Sequence, residues 1–286
     1  MTAVPALPLV TTALVAIAGC RGAGGPKVTL RYHPPAGATY HYALNQQNAM
    51  RLSSGPTGGM PFEQKFALHL NYTQLVRGPA PGGVAVTVTF DSTRLDAPGL
   101  TDPGLQRALD RLHSMKSEVV YDDRMQVLSA AYSGLEGASS PVSEQVAGSV
   151  KGMALLLPDG PVGVGDSWVA EHELPLAQQF GTNTPIKSRT KLTMKEIVVA
   201  GADTSVRFAV ETTFPGAPVA LNLQGRAATV RLSGGLNGEQ VYSVTRGTQV
   251  RAHMGGTMTI AVSGGPGAET TIVATQETAL LLTGAK

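Results

Sequence analysis

The sequence predicts a mainly β protein with two helices, an α+β fold built on a long, curved antiparallel sheet or half-barrel. Apolar and polar side chains alternate along 84–90 and along 66–72, a pattern that places one face of a strand on a core and the other in water. The chain of 286 residues also holds 34 Gly and 19 Pro but only 5% aromatic residues. That composition favours many turns over long helices.

Two helices are expected to interrupt the strands. Asp102-Pro103 and Ser140-Pro141 each have the pattern of an N-cap followed by a first helical residue. Apolar side chains then recur at helical spacing, at Leu105, Leu109 and Leu112 in the first segment and at Val142, Val146, Val150 and Leu157 in the second. We therefore expect a helical middle over about 102–157, with a strand pair over 118–129 between the two helices.

Strands resume after Pro158 and continue to the end of the chain. The β-like segments are Lys187–Val199, Thr204–Phe214, Val219–Leu232, Glu239–Met254, Thr257–Val262 and Thr270–Leu282. Their spacing predicts an antiparallel meander. The segments 37–40 and 165–168 open similar strand sets, which hints at a duplication. We expect a single domain over 27–286.

The amino terminus has the pattern of a secretory signal. Residues 3–19 are apolar or small and uncharged, and Pro5 and Pro8 leave too short a run for a spanning helix, which needs about 20 apolar residues. The region before this run lacks the Lys or Arg that is usual in signals. We expect a signal peptide over 1–19, cleavage before Cys20, and a flexible Gly-rich tether up to residue 26.

The segment Ile17-Ala18-Gly19-Cys20 resembles the lipobox of bacterial lipoproteins. The resemblance implies that Cys20 is lipidated and holds the protein on a membrane of the cell envelope. Arg21 is not the Asp that keeps Gram-negative lipoproteins at the inner membrane, so the outer membrane, facing the periplasm, is the expected location. The alternative is a buried free cysteine at the end of an ordinary apolar helix.

A second resemblance rests on the segment Pro161–Trp168, which ends in Gly165-Asp166-Ser167-Trp168. With the lipobox, the helical middle and the β meander, it resembles an uncharacterised family of bacterial secreted lipoproteins. More loosely, the pattern is similar to the lipoprotein-carrier group, half-barrels whose concave face holds acyl chains. From the residues themselves we expect a turn fixed by Asp166 or Ser167, followed by a structural Trp168.

Candidate chemistry is sparse, and we predict that the protein is not an enzyme. Ser167 lies mid-chain, and no Asp-x-x-His follows it because Val250 precedes His253 where the Asp would stand; a Gly-Asp-Ser hydrolase is therefore disfavoured. Along a strand, His172 would point away from Glu171 and Glu173, so we expect no metal site there. We also expect no cofactor.

Charge and cysteine content limit the partners. The net charge of +2 without a dense Lys/Arg run argues against nucleic acid, and a single Cys allows no intrachain disulfide. Apolar stripes and the strand residues Met194, Met254 and Met258 favour a module that binds an apolar ligand or lipid, because Met adapts to varied apolar partners. The alternative is an envelope structural or assembly protein that acts through contacts with another envelope protein.

Overall fold

The computed structural model describes residues 25–54, 62–99, 110, 113, 115–133, 155–174, 186–223, 226–264 and 270–286. Eleven strands form within them: β1 (Thr39–Ser54), β2 (Phe62–Ala80), β3 (Gly83–Asp96), β4 (Lys116–Tyr121), β5 (Val127–Ser133), β6 (Ser167–Leu174), β7 (Ile186–Ala200), β8 (Asp203–Leu223), β9 (Arg226–Ser243), β10 (Thr248–Gly264) and β11 (Thr270–Ala285). All belong to one sheet, in the order β5-β4-β3-β2-β1-β11-β10-β9-β8-β7-β6.

The sheet consists of two antiparallel meanders that meet at its centre. Strands β1 to β5 form one meander and β6 to β11 the other, and the long pairing of β1 with β11 joins them. Strands β5 and β6 are the two edges and do not pair with each other in the described part of the chain, so the sheet is open. A curved, open antiparallel sheet is thus present.

The expected α+β class is wrong, because the elements that the described residues form are all strands. Most of both segments expected to be helical, after Asp102 and after Ser140, lies outside the described residues. Where the second segment is described, Leu157 is not helical: its N–H donates to the Arg124 carbonyl oxygen at 3.0 Å, and its side chain is fully buried. Its place in an apolar pattern reflects burial against the turn between β4 and β5.

The two faces of the sheet differ in chemistry. Along β7 the burial alternates, with Leu192 and Met194 buried and Lys191 exposed. The buried side, here called the inner face, continues across the pairings to Leu44 on β1 and Leu280 on β11. The opposite, outer face carries charged side chains, among them the Arg207 guanidinium between the Glu196 and Glu239 carboxylates. Such exposed ion pairs add little stability, so burial on the inner face holds the fold together.

Two segments outside the strands close one end of the inner face. Residues 28–32 and 155–162 are linked by a β-bridge between Val28 and Val162. Arginines tie them together: Arg31 Nη1 and Nη2 donate to the carbonyl oxygens of Pro158 (3.0 Å) and Asp159 (2.6 Å), and Arg124 Nε donates to that of Leu157 (2.9 Å). Guanidinium donors make stronger hydrogen bonds than neutral ones, so this end of the fold is firmly fixed.

Candidate functional site

The Gly-Asp-Ser-Trp segment forms a turn against the edge of the sheet. Gly165 has a positive φ of 93°, which favours glycine, and its N–H donates to the Met194 carbonyl oxygen at 2.8 Å. The carboxylate of Asp166 accepts the Gly163 N–H at 2.9 Å. That hydrogen bond, and then the Lys27 ammonium at 3.5 Å, lower the pKa of Asp166 below its usual value. Asp166 therefore fixes the turn, as its residue type suggests.

The two residues that follow belong to β6 and have different surroundings. Trp168 Nε1 donates to the Leu156 carbonyl oxygen at 2.8 Å, and its ring lies nearly perpendicular to that of Phe208 with centroids 5.2 Å apart. It joins the closing segment to the inner face of the sheet. Ser167 is exposed, and its Oγ lies 2.8 Å from Thr193 Oγ1. Cys20, the predicted lipidation site, lies outside the described residues.

A cluster of tyrosines fills the closed end of the inner face. The rings of Tyr42 and Tyr72 stack with centroids 5.1 Å apart, and Tyr32 meets Tyr121 edge-on at 5.3 Å. Burial raises the pKa of Tyr121 to about 12 and that of Tyr42 further, so both stay neutral. The cavity between these rings measures about 50 Å³, room for a few water molecules only. The closed end is core and cannot hold a large ligand.

Polar side chains cross the inner face where the aromatic core ends. They are Gln46 and Asn48 on β1 and, directly opposite, Thr278 and Gln276 on β11, and we call them the polar belt. Gln46 Nε2 donates to Asn48 Oδ1 at 3.1 Å, and Gln276 Nε2 donates to Thr278 Oγ1 at 2.9 Å. Asn48 Nδ2 is shielded from solvent and has no hydrogen-bond partner among the described residues. One amide donor of the belt is therefore unsatisfied.

Beyond the polar belt the inner face becomes apolar again without being fully covered. Six half-buried side chains lie there on three adjacent strands, and we call them the inner trough: Met50 and Leu52 on β1, Met258, Ile260 and Val262 on β10, and Ile272 on β11. Met258, Ile260 and Val262 pack on a second buried cluster centred on Val230 and Leu232. The inner trough is thus a continuous apolar surface attached to a core.

Glycines and a bulge deepen this part of the inner face. Inward positions on β9 and β10 are occupied by Gly234, Gly238 and Gly256, which leave no side chain above the backbone opposite Met258, Met254 and Leu236. Beside the second buried cluster, where β8 shifts register between Pro215 and Pro218, lies a hollow of about 220 Å³ lined mainly by apolar side chains. A long apolar group could lie along the inner trough and extend into this hollow.

Charged side chains are scarce on this face. Among the inward strand positions whose side chains the structure describes, none carries Asp, Glu, Lys or Arg; Arg226 has an inward register position at the very start of β9. His172 on β6 points inward, and burial lowers the pKa of its imidazole below the usual value, which keeps it neutral at neutral pH. Lys187 borders the hollow from an outward position, where its ammonium lies 3.9 Å from the Glu171 carboxylate. The part of the inner face that holds the polar belt and the inner trough therefore carries no charge.

The outer face has a larger depression that is bordered by charged side chains. A hollow of about 480 Å³ lies over the small side chains of Ala49 and Ala67 and is bordered by Lys65, Asp96 and Glu277. Within the described ranges, no group of three or more His, Cys, Asp or Glu residues could hold a metal ion. No described helix is long and apolar enough to cross a membrane. Of the two faces, the inner one has the properties of an apolar binding site.

The three methionines that the sequence analysis named differ in their burial. Met258 lies in the inner trough and Met254 lies beside it, half-buried, whereas Met194 is a fully buried core residue beside Phe208. The polar belt was not anticipated. Its signal is nevertheless present in the sequence, because two polar residues, Gln46 and Asn48, interrupt the series of inward apolar residues on β1 between Leu44 and Met50.

Comparisons with known proteins leave the family open. No protein-family model matches the chain, and no curated protein matches it. Among solved structures, it is similar to one that describes lipid–protein interactions in lipovitellin, with 12% identity and a TM-score of 0.49. The match covers 89% of this chain and 26% of that one, so the chain spans about a quarter of that protein's length.

Proposed function

We propose that this chain is an exported lipoprotein, anchored through Cys20, that binds an apolar ligand on the inner face of its sheet. The inner trough supports the binding half of this proposal. It presents Met50, Met258 and Ile272 half-exposed on adjacent strands, with no charged neighbour on that face. Apolar surface left uncovered in this way gains free energy when another apolar group covers it.

The dimensions suit a long hydrocarbon chain. A strand rises about 3.3 Å per residue, so the inward positions from Met254 to Val262 on β10 extend over about 26 Å. The recess of about 220 Å³ beside Val230 and Leu232 adds depth at one end. Each methylene group buried there contributes about 0.8 kcal/mol. The aromatic cavity of about 50 Å³ has no such capacity.

A charge placed in the inner trough should abolish this binding. We expect Met258→Glu to weaken the binding of a fluorescent hydrocarbon probe by roughly tenfold or more, because the carboxylate would have to be desolvated beneath the ligand. The matched control is Thr257→Glu, which puts the same charge one residue away on the outer face, where Thr257 is exposed. Probe titrations of the full-length chain and both variants make the comparison.

Thermal melts of the same samples show whether each variant remains folded. Equal probe affinities for folded Met258→Glu, folded Thr257→Glu and the unsubstituted chain would place the binding site elsewhere and contradict the proposal. A loss with folded Thr257→Glu but not with folded Met258→Glu would point to the outer face, where the hollow over Ala49 and Ala67 is the alternative site, and would also contradict the proposal.

The anchoring half of the proposal depends on Cys20, the single cysteine of the chain. We expect Cys20→Ser to abolish lipid attachment, because the thiol is the only acceptor of this kind. The protein should then leave the membrane fraction or stay uncleaved, since stable attachment through lipid needs more than one acyl chain. Labelled palmitate that still enters the Cys20→Ser variant would refute the lipoprotein assignment.

A further inference from the structure

The chemistry of the inner face specifies which kind of apolar ligand it suits. The polar belt lies directly beside the inner trough: on β1, Asn48 precedes the inward Met50, and on β11, Gln276 follows the inward Ala274 opposite Met258. An amphipathic molecule with its chain in the trough therefore has its headgroup at the belt. A pure hydrocarbon could not form a hydrogen bond with the belt.

The hydrogen-bonding groups of the belt are not all satisfied from within the protein. Asn48 Nδ2, a donor, is shielded from solvent without a partner among the described residues. A buried donor without a partner is costly, and a ligand hydroxyl can satisfy it because the hydroxyl oxygen accepts a hydrogen bond.

The charged residues near the belt further limit which headgroups could bind there. Neither the polar belt nor the inner trough contains a Lys or Arg that could pair with an anionic head, or an Asp or Glu that could pair with a cationic one. Arg226 has an inward register position at the start of β9, ten residues along that strand from Leu236, which lies in the row of Asn48 and Gln276. Lys187 borders the hollow from the outer side and is already close to Glu171, while His172 is kept neutral by burial. A charged head at the belt would be desolvated without a partner, which is far costlier than burying a hydroxyl.

We infer that the ligand of the inner trough is an acyl lipid with a neutral, hydroxyl-bearing headgroup, and that Asn48 of the polar belt recognises that headgroup. This inference rests on the proposed function. It assigns the acyl chain to the trough around Met258 and the hydroxyls to the donor Asn48 Nδ2 and its neighbours Gln46 and Gln276.

The test compares three probes of equal chain length on the full-length chain: monododecanoylglycerol, dodecanoate and dodecylamine, each competing with a fluorescent hydrocarbon at pH 8. We expect the neutral glycerol ester to bind roughly tenfold or more tightly than either charged probe. Asn48→Leu should weaken the glycerol ester by roughly three- to tenfold, the effect of one lost hydrogen bond, and leave the hydrocarbon unchanged. The control Gln47→Leu, exposed on the outer face, should change neither.

The outcomes separate the two proposals. If the hydrocarbon binds but dodecanoate or dodecylamine competes as well as the glycerol ester, or if folded Asn48→Leu loses no affinity for that ester, the headgroup inference is overturned while the apolar site stands. If neither the hydrocarbon nor any of the three probes binds, both the headgroup inference and the proposed function are overturned.

Discussion

Replacing Phe208 with alanine should lower the free energy of unfolding by about 3–5 kcal/mol, the usual cost of deleting a large buried aromatic ring. Phe208 is fully buried on the inner face of β8, directly opposite the equally buried Met194 on β7. Its ring also packs nearly perpendicular to that of Trp168, which joins residues 155–162 to the sheet. The substitution would leave a cavity where three parts of the fold meet.

Phe62→Ala is the matched control, because Phe62 is 57% exposed at the start of β2 and the same atoms are removed there. We expect it to cost less than about 1 kcal/mol. Urea denaturation of the full-length chain and both variants measures the difference. A Phe208→Ala variant as stable as Phe62→Ala would show that the inner face of β8 is not the core described above.

Gly238→Ala should destabilise the protein by about 1–3 kcal/mol, since overpacking forces the backbone to move. A methyl group at Gly238 on β9 would overlap the carbonyl oxygen of His253 on the paired strand β10. The strands can admit it only by separating. Because Gly238 lies opposite Met254 on the inner face, the displacement should also disturb the edge of the inner trough.

The control for this prediction is Gly255→Ala on the neighbouring strand. A methyl group at Gly255 would meet only the Gln276 carbonyl oxygen at 3.7 Å, an ordinary contact. We expect a change within about 0.5 kcal/mol there. Thermal unfolding of both variants gives the comparison, and equal stabilities would contradict the close approach of β9 and β10 at Gly238.

Alternation along the chain predicted the strands well but not their ends. The segment Val219–Leu232 was expected to be one strand, yet it contains the boundary between β8, which ends at Leu223, and β9, which begins at Arg226. The expected boundary between Phe214 and Val219 is not present, because Pro215 and Pro218 lie at a register shift inside β8 and do not end the strand. Proline is tolerated at such a bulge because the backbone there does not need to donate a ladder hydrogen bond.

The helical expectation failed for a related reason. Apolar residues three or four apart are consistent with a helical stripe and equally with scattered burial along an extended segment that crosses a core. Leu155 and Leu157 are both buried, and the N–H of Leu157 bonds to the turn between β4 and β5. Only the long-range contact with Arg124 decides between the two, and no local pattern contains it.

The candidate site was predictable in part. The adaptability of methionine pointed to Met254 and Met258 but also to Met194, and the sequence could not separate them because burial depends on pairing partners far along the chain. The polar belt needed the same knowledge: Asn48 and Gln276 are 228 positions apart and meet only because β1 pairs with β11. The absence of charge from the polar belt and the inner trough likewise emerges only once the register of their strands is known.

The most direct test of the proposed apolar site is to locate the bound chain. A neutral acyl lipid with a photoactivatable group near the end of its chain would be bound to the full-length protein and irradiated, and the labelled residues would be identified by mass spectrometry. We predict labels on inward residues of the trough, Met50, Met258 and Ile272, and their loss in the Met258→Glu variant but not in Thr257→Glu. Labels confined to outward residues, such as Ala49 and Lys65, would contradict binding on the inner face.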